Sequence, residues 1–127
     1  MSVAVQQQMS SNQESQWQDI CDISALVENS GVCALLNTGE QVAIFYLPGE
    51  QNSLYAIGNY DPIGKANVLY RGIIGSIKDE PVVASPLYKQ HFSLRTGQCL
   101  EDEVSVPVFE IRLTEQRVQI LSFSPVA

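Results

Sequence analysis

Short runs of β-branched, aromatic and other apolar residues, separated by turn residues, occur along almost the whole chain of 127 residues. No segment shows helical periodicity sustained over several turns. Roughly ten such runs can be recognised, and their short, regular spacing is typical of all-β domains. A chain of this length can bury one core without disulfides or metals. The pattern therefore predicts an all-β fold, either a small antiparallel β-sandwich or a partly open barrel.

The apolar run at 41–47 is the most informative about burial. Val42, Ile44 and Tyr46 share one face of this strand, and Ala43, Phe45 and Leu47 share the other. Because both faces are apolar, the strand is predicted to be buried on both sides. The full prediction comprises strands at 17–21, 32–36, 41–47, 54–58, 73–77, 81–85, 91–94, 98–100, 105–113 and 117–121, one helical turn at 22–26, and hairpin turns at 37–40 and 95–97.

The two ends of the chain differ from its middle. Residues 1–16 are rich in Gln and Ser and are expected to form a flexible tail, followed by one β domain at 17–122 and a short C-terminal tail at 123–127. The first residues have neither the basic start nor the apolar core of a secretory signal. No apolar run approaches the roughly 20 residues that span a bilayer. We therefore expect a cytoplasmic protein that does not enter membranes.

The chain is acidic, with a net charge of −7 and only seven basic residues, which are scattered. Proteins that bind nucleic acid need clustered Lys and Arg to contact phosphates. The composition therefore argues against a nucleic-acid partner. Acidic residues are most concentrated at Glu101-Asp102-Glu103, which is either a solvated turn or a docking patch for a basic surface.

Three cysteines and one histidine are the chain's only thiol and imidazole ligands for a metal. Cys21 and Cys33 lie within apolar strand-like runs, and Cys99 follows much later. We expect Cys21 and Cys33 to behave as small buried apolar residues. Together with His91 the three cysteines could formally bind zinc, but structural zinc sites usually use closely spaced ligand pairs. A zinc site is therefore the minor alternative.

Two proline-bearing loops follow strand-like runs in the same manner. The first is Asn59-Tyr60-Asp61-Pro62-Ile63-Gly64, and the second is Ser85-Pro86-Leu87-Tyr88-Lys89-Gln90. Together they resemble the two cluster-binding loops of a Rieske iron-sulfur domain, in which two cysteines bind one iron and two histidines bind the other. The resemblance implies a Rieske-like β domain.

Two glycines lie in and after the first loop. We expect Gly64, at the end of the loop, and Gly72, at the end of the segment that follows it, to adopt backbone conformations that other residues resist.

Matching the two loops by their prolines places the four ligand positions. Asp61 and Ile63 stand where the first cysteine and histidine would be, and Ser85 and Tyr88 stand where the second pair would be. Isoleucine cannot coordinate iron, and hydroxyl and carboxylate oxygens match a sulfide cluster poorly. We therefore expect no cluster at these degenerate positions. Tyr88 is a candidate to fill the space that a cluster would occupy, and Asp61, directly before Pro62, is expected to start a turn.

The ordered combination of motifs resembles the small subunits of assimilatory NAD(P)H-dependent nitrite reductases. It extends from residue 17 to residue 121 and includes Tyr55-Ala56-Ile57, both proline loops, Ala66-Asn67-Val68-Leu69, Arg71-Gly72 and the run 96–103. The resemblance implies a noncatalytic subunit that supports the reduction of nitrite to ammonium by a large subunit. FAD, an iron-sulfur cluster and sirohaem are then expected on the large subunit, and no cofactor on this chain.

The resemblance also implies that the two loops face the large subunit. Tyr60, Arg71, Tyr88 and Lys89 are the partner-binding candidates, because aromatic residues and Arg dominate interface energetics. Phe92 alternates with Leu94 and is predicted to lie in the core.

Other functions remain open at this stage. The chain could be a Rieske-type ferredoxin that carries electrons, or a stand-alone binding module with the same fold. Ser85, His91 and Asp61 are the residue types of a hydrolytic triad, but the chain lacks a strand-to-helix nucleophile elbow. We therefore predict no catalytic residues.

Overall fold

The computed structural model describes residues 13–49 and 52–125, and this part of the chain is all-β. Its strands are β1 (Gln13–Asp22), β2 (Ser30–Leu35), β3 (Gln41–Tyr46), β4 (Leu54–Gly58), β5 (Tyr60–Asp61), β6 (Ala66–Asn67), β7 (Ile73–Ile77), β8 (Glu80–Ala84), β9 (His91–Ser93), β10 (Val108–Phe109), β11 (Ile111–Thr114) and β12 (Arg117–Pro125). Two 3-10 helices, η1 (Ile23–Ala25) and η2 (Leu69–Arg71), are the only helical turns in the described residues. The predicted all-β fold is confirmed.

The strands form four antiparallel sheets. The orders are β1-β12-β11, β10-β4-β3-β2, β7-β8-β9 and β5-β6. The N-terminal and C-terminal strands pair with each other along their whole length, from Gln13 opposite Pro125 to Asp22 opposite Arg117. An ion pair between Arg117 and Asp19, with Nη2 2.5 Å from Oδ2, adds a side-chain contact to this pairing.

The β10-β4-β3-β2 sheet separates two apolar cores, and β3 contributes to both. On one face, Ala43 and Phe45 pack with residues of β4, β8 and β9 and of the loops that follow β4. On the other face, Val42 and Ile44 pack with Val118 and other residues of the β1-β12-β11 side. Residues 42–45 of β3 are fully buried. The prediction that this strand is buried on both sides is confirmed, and the two cores share it as a common wall.

The short connections follow the predicted turn chemistry. The β2–β3 hairpin turns at 37–40 with Gly39 at φ +94°, and η1 begins at Asp22, whose carboxylate accepts a hydrogen bond from the Ser24 N–H at 2.9 Å. The β7–β8 hairpin turns through Lys78 and Asp79, both at positive φ. Two consecutive residues at positive φ give the turn the twist that an antiparallel hairpin requires.

Several strand boundaries differ from the prediction. β1 begins at Gln13 and β12 continues to Pro125, so the long pairing of the two ends reaches into both predicted tails. The rest of the predicted N-terminal tail, residues 1–12, lies outside the described residues, as do residues 126–127. Residues 98–100 form isolated bridges, Phe92 with Cys99 and Gln98 with Ser105, and not the predicted strand.

The predicted single strand at 105–113 is wrong, because the chain changes sheets within it. Val108 and Phe109 pair with β4, whereas Ile111 and the residues after it pair with β12. Leu121 N–H donates to the carbonyl of Glu110 at 3.0 Å, at the point where the chain crosses. An alternating apolar pattern continues through such a crossing, so the sequence does not reveal it.

The cysteines are only partly where the sequence predicts them. Cys99 is buried and Cys21 is partly buried, but Cys33 is exposed. Cys33 lies on β2, an edge strand with an exposed outer side, and an apolar neighbourhood in sequence does not reveal which strand is at the edge. Within the described residues no group of three or more His, Cys, Asp or Glu side chains is arranged to hold a metal. Nor does any helix in this part of the chain have the length and apolar character to cross a membrane.

Glycine matters most at Gly97, which has φ +78° in the turn between β9 and the Gln98–Ser105 bridge. A Cβ at this position would lie 2.1 Å from the carbonyl oxygen of Val106. The expectation for Gly72 is wrong in its cause: its φ is −74°, but a Cβ would lie 2.3 Å from the Ala84 carbonyl oxygen. At Gly72 the close approach of another backbone, rather than an unusual conformation, demands glycine.

We predict that Gly97→Ala destabilises the domain by about 1–3 kcal/mol, because alanine adds strain at positive φ and a clash with backbone that cannot move away. Denaturant unfolding monitored by circular dichroism measures the change. Gly75→Ala is the matched control, since Gly75 has a negative φ and open space around its Cβ position. Equal stability of the two variants would contradict the prediction.

Candidate functional site

Asp61 links the two proline-bearing loops directly. Its carboxylate is fully buried and accepts a hydrogen bond from the Ser85 hydroxyl, with Oγ 2.6 Å from Oδ2. The amide of Gln90 donates to the same carboxylate, with Nε2 2.8 Å from Oδ1 and 2.9 Å from Oδ2. Asp61 and Ser85, two of the four positions predicted to be degenerate ligand positions, therefore lie in contact, and side chains of the second loop bind the first.

The first loop is shaped by the same carboxylate. Oδ1 of Asp61 accepts from the backbone N–H of Ile63 at 2.8 Å and of Gly64 at 3.0 Å. The carbonyl of Asp61 accepts from the Lys65 N–H at 2.7 Å. An aspartate before a proline is a common turn start, because its carboxylate can accept hydrogen bonds from the backbone N–H groups of the turn. The turn role expected of Asp61 is observed, and the contact with the second loop is added to it.

The second loop closes on Ser85. The Ser85 N–H donates to the Gln90 carbonyl at 2.9 Å, and the Lys89 N–H donates to the Ser85 carbonyl at 3.0 Å. The Ser85 hydroxyl also accepts from the Leu87 N–H at 3.2 Å. Lys89 has a positive φ of 66°. These bonds hold Pro86 to Lys89 as an outward-facing tip whose shape does not depend on a ligand.

The electrostatics of Asp61 balance burial against hydrogen bonding. Burial raises the pKa of this carboxyl. Hydrogen bonds from the Ser85 hydroxyl, from the Gly64 and Ile63 N–H groups and from Gln90 lower the pKa by a larger amount, so it lies below the ordinary value. A buried carboxylate that accepts several hydrogen bonds remains ionised without a positively charged partner. The negative charge at the centre of the site is therefore stabilised by dipoles.

The donor set does not fit a [2Fe–2S] cluster. Both oxygens of Asp61 already accept hydrogen bonds from protein donors, and the Ser85 hydroxyl is bound to Asp61. Ile63 offers no ligand atom, and it packs against the apolar core. Such a cluster needs soft thiolate and imidazole donors. Asp61 and Ser85, the two positions that the sequence analysis matched to cysteines, bind each other directly.

The candidate partner-binding residues are distributed unequally. Tyr60 is 48% exposed beside Asp61, and Tyr88 and Lys89 are exposed on the tip of the second loop. Arg71 lies elsewhere, at the end of η2, which packs against β2 and β3. Tyr88 and Lys89 therefore share the tip of the second loop, whereas Tyr60 lies on the first loop and Arg71 lies at the end of η2.

Tyr88 does not fill the space between the loops. Its side chain is 68% exposed. The Leu87 side chain instead contacts the first loop at Gly64. A Cβ on Gly64 would lie 2.4 Å from Leu87 Cδ1 and 2.9 Å from Asp61 Oδ2. The tight contact between Leu87 and Gly64 explains the glycine by space, since Gly64 is not at positive φ. Pro86 and Leu87 are both exposed in part, so the tip has an apolar and aromatic surface.

Sequence reasoning missed Asn59 and Gln90, whose side chains are both buried. Oδ1 of Asn59 accepts from the Tyr70 N–H at 2.8 Å, and its Nδ2 donates to Gln41 Oε1 at 3.1 Å. Asn59 thus joins the start of the first loop to its end and to β3. The one available signal was a polar residue directly after an apolar strand and before the loop.

The residue types of a hydrolytic triad are not arranged as a triad. Ser85 bonds to Asp61, whereas His91 Nδ1 lies 2.6 Å from Glu101 Oε2. The His91 N–H also donates to Glu101 Oε1 at 2.7 Å, which attaches the acidic run to β9. A triad requires the histidine between the other two side chains. Phe92 is fully buried in the core, as predicted.

Comparison with known proteins agrees with this geometry. Residues 16–121 match the family model described as a Rieske-like [2Fe-2S] domain. The nitrite reductase (NADH) small subunit of Salmonella typhimurium is 48% identical over 107 residues, which cover 84% of this chain and 97% of that protein. The solved structure of Escherichia coli NirD superposes with a TM-score of 0.77 at 45% identity, covering 86% of this chain and 98% of that one.

A third relative has a different organisation. The protein from Klebsiella oxytoca named nitrite reductase [NAD(P)H] large subunit contains a segment 40% identical to this chain over 105 residues, covering 82% of this chain but only 11% of that protein. The fold and the family match define a Rieske-like domain. Within that family, the chain belongs to the small subunits of NADH-dependent nitrite reductase.

We predict that Asp61→Asn destabilises the domain by about 1–3 kcal/mol at neutral pH, because the new amide replaces an acceptor that Ser85 and Gln90 need. Asp79→Asn is the control, since Asp79 lies exposed in a turn at φ 67°, a conformation that asparagine tolerates. Urea unfolding of both variants at pH 7 measures the difference. Equal stability of the two would contradict a central role for the carboxylate.

The same carboxylate predicts an acid dependence. Because the pKa of Asp61 is lowered in the folded state, its stabilising contribution is complete above the unfolded-state pKa. It is lost as the pH falls from about 4 through the folded-state value. The stability of the wild type should therefore fall more steeply with acid than that of Asp61→Asn. Parallel pH profiles of the two proteins would contradict this assignment.

Proposed function

We propose that this chain acts as the noncatalytic small subunit of an NAD(P)H-dependent nitrite reductase and presents its two linked loops to the large subunit. One observation carries the proposal: two loops that resemble the cluster-binding loops of Rieske domains are joined by the Asp61 carboxylate, which accepts hydrogen bonds from Ser85 and Gln90. The similarity to nitrite reductase small subunits over nearly their whole length identifies the reaction that the complex would perform.

The partnership is supported by the Klebsiella oxytoca relative. A segment similar to this chain and a much longer remainder occur there in one polypeptide, under the name of a large subunit. A domain that is covalently joined to a partner in one organism and separate in another is expected to contact that partner in both. The large subunit is therefore the partner that we assign to this chain.

The docking surface that we propose consists of Tyr60, Pro86, Leu87, Tyr88 and Lys89, here called the tip surface. These residues are wholly or partly exposed on the two loops. Loops held by a rigid β scaffold are the usual site of recognition, and exposed tyrosines are frequent anchors of interfaces. Arg71, at the end of η2, remains a secondary candidate for contact with the partner.

The division of labour follows from the donor chemistry. Asp61, Ile63, Ser85 and Tyr88 do not fit an iron-sulfur cluster, so we assign no cofactor and no catalytic residue to this chain. FAD, sirohaem and an iron-sulfur cluster are assigned to the large subunit, where electrons from NADH or NADPH would reduce nitrite to ammonium. We place the complex in the cytoplasm. The small subunit contributes a preformed binding surface.

Reconstitution tests the proposal. The large subunit of the same organism is purified with and without this chain, and NADH- and NADPH-dependent nitrite reduction is compared alongside sedimentation of the mixture. We expect a complex with raised turnover. The small subunit, purified under anaerobic conditions, should lack stoichiometric iron and acid-labile sulfide. Independent sedimentation with no effect on turnover would reject the subunit role, and stoichiometric iron and sulfide would reject the cofactor assignment.

We predict that Tyr88→Ala weakens binding of the large subunit about tenfold, because an exposed aromatic anchor is lost from the tip surface. Its melting temperature should stay close to that of the wild type, since the side chain is 68% exposed. Val27→Ala is the control: Val27 is 62% exposed and lies in the connection between η1 and β2. Equal affinities of the two variants, measured by titration calorimetry, would remove Tyr88 from the interface.

A further inference from the structure

A cavity of about 380 Å³ lies next to the first loop. It forms where β3 begins, where β4 ends and where the segment before β10 passes alongside them. Its walls include Glu40, Gln41, Asn59, Tyr60, Pro107 and Phe109. Tyr60 lines this cavity and is also one of the residues of the proposed tip surface.

The lining of the cavity has one charge. Among the described residues that form its walls, Glu40 is the only Asp, Glu, Lys or Arg. The Thr38 hydroxyl donates to Glu40 Oε1 at 2.9 Å and fixes the carboxylate in the β2–β3 turn. Within the described part of the chain, no residue donates a hydrogen bond to the other oxygen, Oε2. The carboxylate is exposed and available to a cation.

The remaining walls combine rings with amide groups. Tyr60 and Phe109 are aromatic walls with exposed or partly exposed side chains, and Pro107 is exposed. Asn59 and Gln41 hold each other by a hydrogen bond of 3.1 Å, which makes the polar wall rigid. A planar cation satisfies these walls together, because it stacks on an aromatic face while it pairs with a carboxylate.

We propose that this cavity receives an arginine side chain of the nitrite reductase large subunit, which pairs with Glu40 and stacks against Tyr60. The inference rests on the proposed function, and it specifies the chemistry of the contact beside the tip surface. A long cationic side chain from a partner suits a chain with a net charge of −7, since opposite charges across an interface favour correct docking. Arginine is preferred to lysine because its guanidinium is planar and is enriched in interface hot spots.

Substitution of Glu40 tests the inference. Glu40→Gln keeps the acceptor for Thr38 and removes the charge, whereas Glu28→Gln makes the same charge change at an exposed site after η1. Binding of the purified large subunit to the full-length small subunit is measured at low and high salt. We expect Glu40→Gln to bind at least about fivefold more weakly at low salt, with a smaller difference at high salt. Glu28→Gln should bind like the wild type.

Two further measurements separate the possible failures. Glu40→Lys should reduce binding more than Glu40→Gln, with melting temperatures of both variants near the wild-type value because the side chain is exposed. If the wild type binds and the Glu40 variants bind equally well, the cavity is not an arginine site, although the subunit role stands. If the wild type itself does not bind, the proposed function fails and this assignment fails with it.

Discussion

The buried carboxylate of Asp61 is the interaction on which the two loops depend. It accepts hydrogen bonds from both of them, and it remains ionised because these dipoles outweigh the effect of burial on its pKa. A metal cluster would join the loops by coordination from four side chains. Here one side chain joins them by hydrogen bonds, and the contact requires only protein atoms. The surface above it is consequently defined by the chain alone.

In the scaffold below the loops, strand β3 contributes side chains to both apolar cores. The alternating residues of β3 enter two different cores, one under the loops and one under the β1-β12-β11 sheet. A substitution in β3 therefore affects both halves of the domain. The first loop is attached directly to this strand through the hydrogen bond between Asn59 and Gln41.

Local signals in the sequence predicted local structure well. The double-sided burial of β3, the hairpin at 37–40, the core position of Phe92 and the turn at Asp61 all follow from nearest neighbours along the chain. The contact of Asp61 with Gln90 spans 29 residues, and no pattern of neighbours encodes it. The crossing at Glu110 was missed because alternation persists when a strand changes sheets.

The positions of side chains in the irregular loops also could not be predicted from neighbouring residues. Leu87 and Tyr88 are adjacent in a loop that is neither helix nor strand. Periodicity therefore does not predict which of the two side chains contacts the first loop. The need for glycine at Gly64 and Gly72 was recognised, but its cause was steric contact with distant residues. Cys33 was expected to be buried because its neighbours are apolar, yet exposure depends on the position of β2 at a sheet edge.

The pairing of β1 with β12 has a consequence for the order of folding. The buried members of the core beneath the loops all lie between Ala43 and Val106, whereas the other core needs Val118 and Ile120 from β12. The two strands that pair across this second half are separated by most of the chain. Closing so long a loop costs conformational entropy, and contacts between distant residues form slowly. The half that carries the two loops can therefore form first, and the half that contains β1 and β12 closes last.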